Sequence, residues 1–308
     1  MTDNTWLIFI IGLLSATLRV STPLIFGTIG ELFCERAGIL NLGIEGTMVI
    51  GAFIGFLVGD LTGSLWLGVV AAILIGAISG WLMSLMTVRI GVNQHVSGLG
   101  ITLLMTAIAS YGFRLVYGEP TTPPTINAFP KIILLPETWQ ISSIFNQQAL
   151  TYIALILIPV IWLVMNKTRL GLWVKAVGEN PEAVDAAGIN VYTTRTIALM
   201  IGGGFMGLAG AFLSLGQLGA FTYGMINGRG WVCIALIIFA TWEPIKILWG
   251  SFLFGGVSAL QLRLQSQGYK LPYEFFLALP YLVTILALTL AGRSVTAPSA
   301  ILKSYRRE

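Results

Sequence analysis

Apolar residues run in long blocks along this chain, and polar residues collect in the gaps between them. The blocks fall at roughly 6–30, 46–60, 64–87, 95–114, 149–165, 196–217, 229–241, 245–262 and 275–292. A membrane-crossing helix takes about 20 residues. The pattern predicts an all-α polytopic membrane helix bundle of about 8–9 transmembrane helices, with residues 1–308 forming one transmembrane domain. Pro23 lies inside the first block and predicts a kink. The blocks at 229–241 and 245–262 are short, and the "TWEPIK" between them predicts a turn or break at Pro244.

Two polar gaps flank the 149–165 block and so face opposite sides. One, 115–148, is proline-rich: "YGEPTTPPTINAFPKIILLPETWQISSIFNQQ". The other, 166–195, reads "NKTRLGLWVKAVGENPEAVDAAGINVYTTR". The second carries Lys167, Arg169, Lys175 and Arg195, the first Lys131 and no other basic residue beyond Arg114 at its edge. Cytoplasmic loops of membrane proteins carry the excess of Lys and Arg. Segment 166–195 is therefore expected inside, and 115–148 outside as an extracytoplasmic loop. Propagation puts Arg36, Arg89, Lys246 and the 293–308 tail inside, and Asp60, Arg229, Arg263 and Lys270 outside.

Composition narrows the class. The chain is 56% hydrophobic and 10% charged, with mean hydropathy +0.86. An average globular domain is about 25% charged. The net charge of +4 follows from the inside Lys and Arg, so no nucleic acid polymer is implied as a partner. Cys34 and Cys233 sit in or beside apolar blocks as small packing residues. The N-terminus has no Lys or Arg before its apolar run, lacks the basic region of a cleaved signal, and is expected to be kept as the first helix. Gly51, Gly55 and Gly59, and likewise Gly203 and Gly207, recur at spacing four and predict close helix packing.

Chemistry-bearing constellations are sparse. The sequence has no G-x-x-x-x-G-K-[ST] loop for ATP. One His and two distant Cys cannot build a metal site, and no nucleophile stands with a base partner. A membrane enzyme would need such a constellation. Within 166–195, Asn180 suits a helix N-cap, Pro181 the first helical position and Glu182 the positive helix end, while Gly188 is placed to stop the helix. A two-turn helix near 181–187 follows, either an ordinary capped connector or a docking element for a partner.

Polar residues inside a bundle usually face its interior or a wet cavity. The candidates are Asn41, Glu45, Asn93, Gln94, His95, Ser97, Gln217, Thr222 and Tyr223, with Phe221 and Trp231 as stacking surfaces for a base or a sugar face. Asn41 and Gln94 have a second reading, as ties between broken helix ends. Trp231 equally suits a membrane-interface belt. Arg229, with Gly228 and Gly230, fits a turn.

Four motifs add a family resemblance: "ERAGILNLGIEG", "VNQHVSGLGITLL", "RLGLWVKAVGENPEAVDAAGIN" and "GRGWVCIALIIF". In this order and spacing, over about residues 15 to 295, the chain resembles the permease subunits of bacterial ABC importers. The group is the branched-chain amino acid and simple-sugar permease superfamily, in its nucleoside or simple-sugar branch. The resemblance implies inward transport of a nucleoside or simple sugar, with a branched-chain amino acid or other small solute as the alternative. It implies a multi-pass protein of the bacterial cytoplasmic membrane and a second, similar permease subunit, forming a heterodimer. It further implies an ATP-binding subunit and an extracytoplasmic solute-binding lipoprotein. No cofactor is implied on this chain; Mg-ATP belongs to the partner ATPase. The coupling segment would comprise Gly178, Glu179, Asn180, Pro181, Glu182, Asp185, Ala186 and Gly188. His95, where the family usually has an aliphatic residue, and the segment "IFATWEP" depart from the pattern.

"ERAGILNLGIEG" is the least comfortable stretch. Non-helical backbone at membrane depth is tolerated only under protein cover or beside a wet cavity. It is either a cytoplasmic loop or a break dipping into the bundle. The resemblance favours the break for "LNLGIEG", with Glu35 and Arg36 nearer the inner surface.

Overall fold

The computed structural model describes residues 2–266 except Thr121 and Glu137, the single positions 278, 282, 283, 285, 286 and 289, and 297–303 with 305. The expected helix at 275–292 lies largely outside the described residues. Helices α1 (Thr2–Arg36), α2 (Ile44–Thr62), α3 (Leu65–Ser84) and α4 (Gln94–Tyr117) come first. Short α5 (Ser142–Phe145) precedes α6 (Ala149–Lys167), α7 (Arg169–Glu179) and α8 (Pro181–Ala186). Then follow α9 (Val191–Ala211), α10 (Arg229–Phe239) and α11 (Pro244–Ser266). α3 and α9 each run on into a π-helical turn, Leu85–Ile90 and Phe212–Leu218. Among the described residues there is no strand beyond two isolated bridges, and seven helices are long and apolar enough to cross a membrane, with α10 a shorter eighth.

α3 packs on α9 and α2, while α1 packs on α9 and α11. Glycines set the closeness of the first group. A Cβ on Gly207 would overlap Ala72 O, and one on Gly210 would overlap Met48 O. Backbone thus lies on backbone, the arrangement small residues permit where helices meet in lipid. Large apolar side chains on the other faces, such as Leu74, Ile78, Leu103, Ile156 and Leu163, stay exposed, as lipid requires.

The bundle has two faces, about 42 Å apart along the 28 residues of α9 and its π turn. At one, the 118–148 loop lies on the far end of α9: Ile126 N donates to Gly219 O at 2.8 Å and Phe129 N to Leu215 O at 2.9 Å. At the other sit α7, α8 and the tail. Asn180 Oδ1 caps α8 through Ala183 N at 3.0 Å, and Gly188 ends it in the left-handed region at φ 83°. Ala300 N donates to Gly178 O at 2.8 Å and Ser299 Oγ to Glu179 Oε2 at 2.9 Å, so the tail lies across the end of α7, at the coupling face, so called after the role expected of α8.

Two helix starts or ends and the placement of one residue differ from the sequence reading. α1 continues to Arg36, because "ELFCER" is helical with its two carboxylates turned inward. α9 begins at Val191, capped by Asn190, and buries Arg195, whose Nε donates to Ala37 O at 3.1 Å. Arg229 is not at the outer surface: α10 starts inside the bundle beside Glu45, and Arg229 Nη1 donates to Met225 O and Ile226 O at 2.8 and 3.0 Å.

Candidate functional site

The chain turns back after Arg36. Gly38 takes φ 84°, a left-handed conformation that suits glycine, and residues 37–43 run non-helically among buried side chains. Ile44 Cδ1 then lies near Gly27, nine positions before Arg36 and so roughly 13 Å up α1. The break therefore dips into the bundle.

Buried backbone needs partners, and the surrounding side chains supply them. Gln94 Oε1 accepts from Leu40 N at 2.8 Å, and its Nε2 donates to Gly38 O at 3.3 Å. Glu31 Oε1 accepts from Asn41 N at 2.9 Å. Asn41 Oδ1 closes a turn on Gly43 N at 3.0 Å, and its Nδ2 faces Met206 Sδ at 3.5 Å. Thr102 Oγ1 donates to Leu42 O at 2.9 Å.

A second non-helical segment meets the first. Residues 219–228 descend from the loop face, and Gly228, at φ 79°, opens α10. Glu45 Oε1 accepts from Gly228 N and Oε2 from Gly230 N, both at 2.8 Å. A carboxylate across a helix N-terminus is a favourable arrangement, and here it joins the start of α2 to the start of α10. α10 ends at the coupling face, where Thr241 and Trp242 take positive φ and Trp242 Nε1 donates to Glu35 Oε2 at 2.6 Å. The expected turn before Pro244 is this one.

The candidates thus fall into two groups. Asn41, Glu45 and Gln94 converge on the break. Ser97 is buried on α4 with no partner for its Oγ. Asn93 caps α4, accepting from His95 N at 2.9 Å. Asn93 and His95, both exposed, line a cavity of about 420 Å³ with Thr87, Gln94 and Leu302 of the tail. The structure does not bring Phe221, Thr222 and Tyr223 to this group. They lie near the loop face, where Phe221 and Phe113 stand 5.2 Å apart between ring centres and line a recess of about 290 Å³ with Arg114 and Glu119. Gln217 is exposed in the π turn, and Trp231 is 40% exposed on α10.

At the coupling face, Val184 packs on Val177 and Val191, which turns Glu182, Ala183, Ala186 and Gly188 outward. Asp185 instead accepts from Tyr305 Oη of the tail at 3.0 Å. A Cβ on Gly178 would overlap Arg36 O, so α7 rests directly on the end of α1. Burial and the Arg36 guanidinium hold the Lys175 ammonium below its ordinary range, against the pull of Glu243.

Sequence reasoning missed Glu31. The signal was available: "ELFCE" sets two carboxylates four apart, on one face of a helix. It went unread because the first apolar block was ended at residue 30.

Seven helices long and apolar enough to cross a membrane, among the described residues, define a polytopic membrane α-bundle, here with two non-helical segments clamped inside it. The family described as branched-chain amino acid transport system / permease component matches residues 13–288, and the chain belongs to it, as a permease subunit of an ABC importer. The chain is 37% identical to a putative glucose ABC transporter permease protein, TsgC13, of Haloferax volcanii, over 97% of this chain and 99% of that one. It is 34% identical to the guanosine ABC transporter permease NupQ of Bacillus subtilis and 34% identical to the nucleoside ABC transporter permease NupC of Lactococcus lactis. Each of these two alignments covers 92% of this chain and 93% of the relative. No solved structure matches the chain.

Proposed function

We propose that this permease moves an uncharged solute, a nucleoside or simple sugar, inward across the cytoplasmic membrane. The observation that carries the choice of solute is the state of Glu45. An amino acid would need a carboxylate for its ammonium, and Glu45 is the pathway candidate of that charge. Both its oxygens are spent on Gly228 and Gly230 amides. Around the break stand the Asn41 and Gln94 amides and the Thr102 hydroxyl, and the outer recess is aromatic beside Arg114 and Glu119, which pair with each other at 3.2 Å; this suits sugar hydroxyls and base edges. The glucose, guanosine and nucleoside relatives support the same solutes.

In this reading the face carrying 166–195 and the 293–308 tail is cytoplasmic, in keeping with Arg36, Arg89, Lys167, Arg169 and Lys175 there. The outward side of α8, with Glu182 and Ala186, docks into an ATPase subunit that binds and hydrolyses Mg-ATP, while this chain holds no cofactor. A second, similar permease completes the membrane domain as a heterodimer. A solute-binding lipoprotein delivers cargo to the 115–148 loop. Asn41, Asn93, Gln94, His95 and Ser97 border the inner part of the pathway, with Phe221 and Trp231 as stacking surfaces. Uptake of labelled nucleosides, glucose and leucine into vesicles bearing the whole importer tests the solute. Nucleoside or glucose uptake is expected; ATP-driven uptake of leucine alone would overturn the proposal.

A further inference from the structure

Glu31 and Glu35 stand on one face of α1, each no more than 1% exposed. Each has one oxygen committed: Glu31 Oε1 to Asn41 N, Glu35 Oε2 to Trp242 Nε1. Their other oxygens, Glu31 Oε2 and Glu35 Oε1, are buried with no donor. The two side chains are one helical turn apart on that face, the spacing at which helix neighbours meet.

Counting protons selects one state. With none, two buried anions face each other and both free oxygens lack a donor. With two, the second O–H lacks an acceptor. One proton makes a single O–H···O⁻ bond and satisfies both oxygens. Among the described residues no cation competes for the position. Arg36 donates to Trp242 O and lies near Glu243 and Glu179. Arg195 of α9 donates to Ala37 O, Arg229 of α10 faces Glu45, and Lys175 of α7 donates to Asn166. The remaining titratable neighbours, Cys34 on α1 and Cys233 on α10, are buried thiols.

We infer that Glu31 and Glu35 share one proton and act as a single clamp, holding the 37–43 break through Asn41 and the turn before α11 through Trp242. They are positioning residues for the pathway, and the inference holds for any solute.

The test uses the full-length protein purified in lipid. Infrared spectra at neutral pH should show a protonated carboxyl band in the wild type, and E31Q and E35Q should each remove it. In either variant the glutamine oxygen keeps the outer bond while its NH2 takes the place of the shared proton. The second N–H of that NH2 lacks an acceptor, so each should melt about 2–12 °C below wild type. E31Q/E35Q sets NH2 against NH2 and should fall by more than the sum of the singles. The wild-type spectrum needs no variant to fold. A wild-type spectrum without the band, a band that persists in either single variant, or a double variant no worse than the sum overturns the inference.

Discussion

Glu45 should respond to amide substitution in the opposite way from the α1 pair. Its two oxygens each accept a backbone N–H at 2.8 Å, from Gly228 and Gly230, so the site is filled by donors and needs two acceptors. Hydrogen bonds to a charged group contribute about 1.5–3 kcal/mol each, and a donor left without an acceptor costs about 1–3 kcal/mol. Glu45→Gln keeps one acceptor and turns an NH2 toward the other amide. Because Glu45 is half-buried, the loss expected is about 2–3 kcal/mol, and about 3–5 kcal/mol for Glu45→Ala, which removes both acceptors. At roughly 2–4 °C per kcal/mol, Glu45→Gln should lower the melting temperature by about 4–12 °C. Thermal unfolding of the purified importer complex measures this, and vesicle uptake beside it should fall because the starts of α2 and α10 come apart. A Glu45→Gln protein that melts and transports like wild type would refute the clamp. Leucine uptake lost in Glu45→Gln, with nucleoside uptake kept, would instead make Glu45 an ammonium site.

Further expectations concern the packing, the break and the coupling face. Gly207→Leu drives a side chain into the Ala72 backbone, costing a few kcal/mol, and should give protein that aggregates on detergent extraction, read by size exclusion. Asn41→Ala removes the acceptor for Gly43 N and should cost about 1–2 kcal/mol and reduce uptake, measured as initial rates. Glu182→Lys or Ala186→Trp, on the exposed side of α8, should abolish ATP-driven uptake while leaving capture of solute by the binding protein intact. Normal uptake by these variants would remove α8 from the docking role.

The helices were legible because hydropathy blocks are a strong signal, and α8 was legible to within a residue because Asn180, Pro181 and Gly188 each have a local reason to sit there. The breaks were only half legible. The glycines of "ERAGILNLGIEG" announce a change of backbone, but whether 37–43 faces water or protein depends on Gln94, Glu31 and Thr102, which are distant in sequence or lie inside a helix. Arg229 was misplaced for the same reason. Charge counting assigns a side to every cation, and it has no term for a helix that starts within the bundle opposite a carboxylate. The candidate list named Asn41, Glu45 and Gln94, which do converge, but polarity could not separate them from Thr222 and Tyr223 at the other face.

The contacts also indicate how events at the coupling face reach the breaks. Val184 ties α8 to Val177 of α7, and Gly178 rests on Arg36 O with no room for a Cβ. Arg36 Nη2 donates to Trp242 O at 3.1 Å, and Trp242 Nε1 donates to Glu35. Arg195 Nε holds Ala37 O, and Ala300 of the tail fits against Gly38. The links are apolar packing, backbone contact and buried or half-buried hydrogen bonds, and packed interiors transmit displacement rather than absorb it. A shift of α7 and α8 must therefore either move the end of α1 together with both non-helical segments or break a buried hydrogen bond. Moving them together is cheaper, because each unsatisfied buried group costs about 1–3 kcal/mol. The segments most able to change shape are thus attached by their coupling-face ends to the element that a partner would push. The Glu45 clamp lies deeper, beyond those links, so its release can open the gap between α2 and α10 without loosening the coupling face.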